Sequence, residues 1–200
     1  MPRLTFIKPA APILVRQPPT GPNWLHEIKW DGWRCQVIKD VTEIRIYTRS
    51  ANDWTDHLPT LVDAVSTLNA RRLIIDSEII ASTDGYDFYT LPAAIRRKQV
   101  SLVAFDLLHL NGEDLRRFPL EERKDALIKV VGASELIQVS ETFNNPFDLL
   151  DAAEKYGLEG IVSKRKDLPY RSGRCVHWQK VKTATWSAAN ADRGEHFGRT

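Results

Sequence analysis

Apolar and polar positions alternate along most of this chain, but the first stretch is set apart by proline. Six of the eleven prolines fall between Pro2 and Pro22, around the apolar island Ile13-Leu14-Val15. Proline removes amide donors and fixes φ, so residues 1–22 read as an extended strap over the surface and not as a helix. Two strand-like stretches follow, Trp24 to Lys29 and Trp33 to Lys39, joined around Asp31-Gly32, a dipeptide favoured in tight hairpin turns. A third stretch, Glu43 to Arg49, sets Ile44, Ile46 and Thr48 on one face and Arg45, Tyr47 and Arg49 on the other. An antiparallel meander is therefore expected to begin the domain.

From Asp56 to Ala70 the apolar residues Leu61, Val65 and Leu68 recur at helical spacing. Asp56 is a candidate N-cap, and Arg71-Arg72 stand where cations favour a helix C-terminus. A buried strand, Leu73 to Ala81, comes next. The pattern then predicts a helix at Tyr89 to Lys98, a strand at Ser101 to Leu107, a helix at Leu120 to Val131 and a strand at Leu136 to Ser140. A helix at Pro146 to Tyr156 and strands at Gly160 to Lys164 and Val176 to Lys182 complete the series. Irregular alternation with hairpins favours an α+β fold, antiparallel sheets flanked by helices, over a doubly wound parallel sheet. Residues 184–200 form a polar tail that ends in a short helix or frays.

Composition narrows this picture. Two hundred residues with 42% hydrophobic side chains bury one substantial core. No apolar run approaches the roughly 20 residues needed to cross a bilayer, so no membrane partner is expected. Cys35 and Cys175 lie in apolar, strand-like stretches, and the N-terminus lacks the layout of a signal peptide, which points to a reducing cytoplasm. The formal charge of +2 does not announce a nucleic-acid binder, so any such surface must come from local clustering. Lys164 to Lys182 clusters in this way, with seven Lys or Arg residues against the single acid Asp167, and Tyr170, His177 and Trp178 interleaved. Such a stretch fits a phosphate backbone.

The chemistry centres on Glu27-Ile28-Lys29-Trp30-Asp31-Gly32-Trp33-Arg34. A lysine beside a turn is ordinarily a solvated strand residue. The pattern Lys-x-Asp-Gly-x-Arg, however, should arise by chance only roughly 0.003 times in a chain of average composition and this length. It resembles motif I of the covalent nucleotidyltransferases, the superfamily of ATP-dependent DNA ligases, RNA ligases and mRNA capping enzymes. Further segments resemble that superfamily's other motifs in the same order: Tyr47-Thr48-Arg49-Ser50, Asp76-Ser77-Glu78-Ile79-Ile80, Ala104-Phe105-Asp106-Leu107-Leu108, Glu159 to Lys164, and Trp178-Gln179-Lys180-Val181-Lys182. The approach Pro18 to Pro22 and the run Phe105 to Leu115 look particularly like the ligase domain of bacterial DNA ligase D.

The resemblance implies an ATP-grasp-like adenylation domain over residues 23–183. Lys29 would be the nucleophile that carries AMP, with ATP and Mg²⁺ or Mn²⁺ as cofactors. It implies that Arg34 and Arg49 contact ribose and phosphate, Glu78 the ribose, Phe105 the adenine ring, and the backbone around Glu27 the adenine edge. Lys164, Lys180 and Lys182 would contact phosphate, and Glu159 would hold the metal. These residue types suit the task. Deprotonating an ordinary lysine at pH 7 costs about 4 to 5 kcal/mol, a cost that neighbouring cations and desolvation lower. Lys180 and Lys182 share a strand face, so both reach one phosphate group. Ser77 and Ala51 stand where the family commonly has glycine, which puts their backbone geometry in question.

The expected partner is nicked or broken DNA, bound by a monomer. Family ligases continue into an OB-fold after the last motif, and the residues that follow Lys182 are too few to build one. Nick sealing would then call for an OB-fold or end-joining partner in trans. Adenylation of RNA ends and a non-catalytic module that binds nucleotide or DNA are the alternatives.

Overall fold

The computed structural model describes residues 2–82 and 89–191. Its strands are β1 (Ala10–Leu14), β2 (Trp24–Ile28), β3 (Trp33–Asp40), β4 (Glu43–Thr48), β5 (Arg72–Ala81), β6 (Val100–Leu110), β7 (Glu113–Asp114), β8 (Ile137–Val139), β9 (Gly160–Arg165) and β10 (Gly173–Lys182). Its helices are α1 (Pro59–Ser66), α2 (Leu91–Arg96), α3 (Leu120–Val131), α4 (Pro146–Lys155) and α5 (Ala184–Ala189). The strands form two sheets. One has the order β1-β10-β9-β2 and the other β4-β3-β5-β6-β7, with β8 also paired to β6. All pairings are antiparallel except β1 with β10 and β8 with β6. This is the expected α+β architecture. No helix among the described residues is long and apolar enough to cross a membrane.

The hairpin expected at Asp31-Gly32 does not form, because β2 and β3 belong to different sheets. The chain there crosses from one sheet to the other, and the meander begins only at the β3–β4 hairpin, where Asp40 faces Glu43. Gly32 serves the crossing. A Cβ at this position would lie 2.0 Å from the carbonyl oxygen of Ile79 on β5. The dipeptide therefore marks a close backbone approach, a use of glycine that looks identical to a turn in sequence.

Within the proline-rich segment, β1 pairs with β10, while the residues before it lean on the other sheet. Leu4 N–H donates to Asp40 Oδ2 at 2.8 Å and Ile7 N–H to Gln36 Oε1 at 2.7 Å. The expected helix from Asp56 to Ala70 is shorter and starts later. Thr55–His57 is a 3-10 turn, and α1 begins at Pro59 with Leu58 as its N-cap. Proline has no amide to donate and so suits the first helical position, which leaves Asp56 outside the helix. Arg72 does not close α1 but opens β5, with its Nε 2.7 Å from Asp40 Oδ1. Of the tail, α5 is helical, and residues 192–200 lie outside the described residues.

Three apolar clusters hold these layers. The largest packs α1, α2 and α3 against the outer face of the β4-β3-β5-β6 sheet through Leu61, Val65, Leu91, Leu127 and Val131. A second joins the two sheets through Leu4, Ala10, Ile38, Ile74, Phe105, Leu108, Tyr170, Cys175 and Trp178. A third seats α4 on β9 and β10 through Leu149, Ala153, Ile161 and Val181. The second cluster decides function, because it closes the back of a cleft between the sheets.

Candidate active site

The cleft has a volume of about 980 Å³, and every site residue marked in the sequence lines it. Its centre is Lys29, the first residue after β2. The Lys29 amide donates to Gly160 O at 2.8 Å, and the Thr183 amide donates to Glu159 O at 3.0 Å. Gly160 has φ of +149°, and a Cβ there would lie 2.0 Å from Val181 O. This close approach draws the ends of β2, β9 and β10 together, so Lys29, Glu159 and Lys182 converge although they are far apart in sequence. The Lys29 ammonium forms an ion pair with Glu159 Oε2, and Lys182 Nζ lies 3.5 Å from Glu159 Oε1. Lys180 lines the same cleft, as the two-residue strand period requires. Burial lowers its pKa, reinforced by Lys29 and Lys182 and opposed by Glu159.

Glu78 stands across the cleft, paired in register with Arg34 on β3. Its carboxyl is pushed up to about 8, mainly by desolvation, with Lys29 and Arg34 pulling it down and Glu159 and Asp76 adding to the rise. Desolvation thus favours the protonated carboxyl, which can donate a hydrogen bond.

Aromatic rings form the other end. Phe105 and Trp178 meet edge to face with centroids 6.1 Å apart. Lys164 Nζ lies 4.5 Å from the Phe105 centroid and 4.3 Å from that of Trp178. Arg34 lies 5.3 Å over Phe105. Its Nε and Nη2 donate to Asp76 at 2.9 and 2.7 Å, and its Nη1 to Ala10 O at 2.6 Å. Burial disfavours this charge, but Asp76 outweighs burial and holds the guanidinium firmly charged. Tyr170 also donates to Asp76, at 2.8 Å, and its hydroxyl accepts from the Ala10 amide at 2.8 Å. Arg34 is thus clamped flat as part of the wall, tied through Ala10 to the strap.

The Glu27 side chain is held away from Lys29. Its oxygens accept from Lys124 Nζ at 2.7 Å and Lys164 Nζ at 2.8 Å. Burial opposes its ionisation, but the two lysines prevail and lower its pKa, so an anion sits between two ammonium groups. Burial, helped by Lys124, lowers the pKa of Lys164 beside the aromatic wall, and Glu27 opposes that fall. Lys124 escaped the sequence reading, yet a signal existed: it occupies the apolar stripe Leu120, Lys124, Leu127, Val131 of α3, where a lysine needs a buried partner. Asp76 and Trp186 were also missed as parts of the site.

Arg49 lines the cleft, and its amide donates to Arg34 O at 3.0 Å. Ala51 two residues later has φ of 64°, the left-handed conformation that glycine would adopt without strain. Ser77 needs no such allowance. It pairs with Cys35 in the ladder, and its hydroxyl meets Cys35 Sγ at 3.2 Å. The basic stretch from Lys164 to Lys182 does not form one face: Lys164 is buried, Arg165 pairs with Asp167 at 2.7 Å, and Lys180 and Lys182 face the cleft. Arg171 and Arg174 are exposed. Among the described residues, no group of three or more His, Cys, Asp or Glu side chains could hold a metal ion. Glu159, the carboxylate that the sequence reading gave to a metal, is engaged by Lys29 and Lys182.

Residues 15–182 match the family model described as ATP dependent DNA ligase domain. The multifunctional non-homologous end joining protein LigD of Pseudomonas aeruginosa is 37% identical over 185 residues, covering 88% of this chain and 22% of that protein. The solved ligase domain of LigD from M. tuberculosis superposes with a TM-score of 0.73 at 27% identity, over 88% of this chain and 59% of that one. A mycobacterial DNA ligase D complexed with ATP and MES gives a TM-score of 0.68 at 25% identity, over 86% of this chain and 60% of that one. The chain spans 22% of the length of that Pseudomonas protein and 30% of a probable DNA ligase of Dictyoglomus turgidum, 35% identical over 78% of this chain.

Proposed function

Because the chain belongs to the family of ATP-dependent DNA ligase domains, we propose that it is the catalytic core of such a ligase and carries AMP on Lys29. The observation that carries this reading is the convergence of Lys29, Glu159 and Lys182 at one end of a cleft whose other end is aromatic. Adenine stacks on Phe105, with the backbone at Glu27 along its edge, Glu78 and Arg34 at the ribose, and Arg49, Lys180 and Lys182 toward the phosphates; Lys164, which the resemblance gave to phosphate, is buried on Glu27 at the aromatic end and braces the adenine wall instead. The Lys29 amine attacks the α-phosphorus of ATP, a P–N bond forms, and the bond to the β-phosphate oxygen breaks as pyrophosphate leaves. The cations of β10 offset the charge that develops on these oxygens. AMP then passes to a DNA 5′-phosphate, and a 3′-hydroxyl displaces it to seal the strand.

Glu159 would be the carboxylate that holds Mg²⁺ or Mn²⁺, a cation that would neutralise phosphate charge. In the free chain that carboxylate holds the Lys29 ammonium instead. Exchange of partners by Glu159 would therefore accompany activation of the nucleophile. The buried free thiols of Cys35 and Cys175 suit a reducing cytoplasm, and a DNA substrate would bring the protein to the nucleoid.

The test is incubation with α-labelled ATP and Mg²⁺, followed by denaturing electrophoresis. Label should survive denaturation in the native chain and vanish in Lys29→Ala. A folded native chain that binds ATP without an adduct would overturn this reading in favour of a non-catalytic module. Chasing the adduct with nicked DNA and with nicked RNA should consume it on DNA, and preference for RNA would replace DNA as substrate.

A further inference from the structure

Helix α5 carries Trp186 back onto the cleft, and nothing in the motifs accounts for it. The helix is fastened by a neighbour. Glu154 of α4 accepts from the Ala184 amide at 2.7 Å and the Thr185 amide at 2.8 Å, and also from the Thr185 hydroxyl. A carboxylate at these first amides satisfies donors that have no partner inside the helix. Asn190 closes the other end, its side-chain amide donating to Trp186 O at 3.0 Å. So held, Trp186 is 9% exposed and lines the cleft together with Lys29, Asp31, Glu159 and Lys182.

Two contacts give the indole a place in the chemistry. Its Nε1 donates to Asp31 Oδ2 at 3.0 Å, and Lys182 Nζ lies 4.2 Å from the centroid of its ring. Asp31 stands two residues from the nucleophile, on the crossing between the sheets. One side chain thus touches both the loop that carries Lys29 and a cation at the phosphate end. Lys182 is held from two sides, by Glu159 and by the indole face. When Glu159 turns to other partners, the indole is the contact that keeps Lys182 in place. An aromatic face attracts an ammonium without neutralising it, so the charge stays available to a phosphate.

We propose that Trp186 is a positioning residue of lysine adenylation, coupling Lys182 to Asp31 across the phosphate end of the cleft. The inference rests on the reading that Lys29 takes AMP from ATP. It assigns the ring and the N–H separate tasks, which substitutions can separate. Phe keeps the aromatic face and loses the N–H, whereas Leu keeps apolar volume and loses both.

The experiment is single-turnover formation of the labelled adduct in the native chain and in Trp186→Phe, Trp186→Leu and Trp186→Ala, with thermal melts alongside. At saturating ATP the maximal rate should fall about tenfold in the Leu and Ala variants, and Phe should recover about half of that loss on a logarithmic scale. In a Lys182→Ala background, Phe and Leu should become equal, because the ring then has no ammonium to hold. Equal rates for Phe and Leu in the native background would make Trp186 a packing residue and overturn the inference, even if Ala fails to fold. An adduct that forms in every variant at the native rate would overturn it too, while leaving the adenylation reading intact. No adduct in the native chain removes that reading, and this inference with it.

Discussion

Single residues set the limits of this site through the space and charge around them. At Gly32 there is no room for a methyl group, since a Cβ would sit 2.0 Å from a backbone oxygen of β5. Gly32→Ala must therefore displace the crossing that carries Asp31. We expect a loss of about 1 to 3 kcal/mol in stability and slower adduct formation, read by chemical denaturation and the label assay. Glu78 gives a prediction in pH. Its pKa rises from 4.5 in the unfolded chain to about 8 in the cleft, so folding favours its protonated form. The stability this group contributes is full below pH 4.5 and is lost as pH rises through about 8. Glu78→Gln should match the native chain in melting temperature at the acid end and exceed it increasingly toward pH 9. A difference that shrinks with rising pH would refute the shift. The identity of Glu78 could be read from its motif, but its ionisation could not, because desolvation belongs to the walls and not to the residue.

At the scale of elements, α3 shows what periodicity can convey. Its limits were legible, and so was the stripe that faces the sheet, because burial repeats at the helical period. The purpose of Lys124 within that stripe was not, because its partner Glu27 lies on β2, 97 positions away. Removing different members of this buried group should cost different amounts. Glu27→Gln strands two buried ammonium groups, whereas Lys124→Met leaves Glu27 with Lys164. We expect about 3 to 5 kcal/mol for the first and about 1 to 3 kcal/mol for the second, measured by denaturant titration. The reverse order would mean that Glu27 does not hold both lysines. Strand β1 escaped the sequence reading for a related reason: its hydrogen bonds come from β10, at the far end of the chain, and prolines concealed its pattern.

The whole molecule is two sheets tied across a cleft, and the strap belongs to both. Its first residues bond to the β3 side through Asp40 and Gln36, and Ala10 meets both Tyr170 and Arg34. Deleting residues 2–9 would take Leu4 out of the cluster between the sheets and remove the ties to Asp40 and Gln36. The expected loss is about 3 to 5 kcal/mol, or roughly 10 °C in melting temperature, with weaker ATP binding by calorimetry. Unchanged ATP affinity would show that the strap steadies the fold without shaping the cleft. The sequence by itself determined the order of the chemistry-bearing segments, the residue types within them and most helices and strands, because those depend on local spacing. Only the tertiary structure decided that β2 and β3 part into different sheets, that Glu159 meets Lys29 and Lys182, and that Trp186 returns to the cleft. Each of these depends on contacts between distant parts of the chain, which arise when two sheets close on a shared core, and no local pattern encodes them.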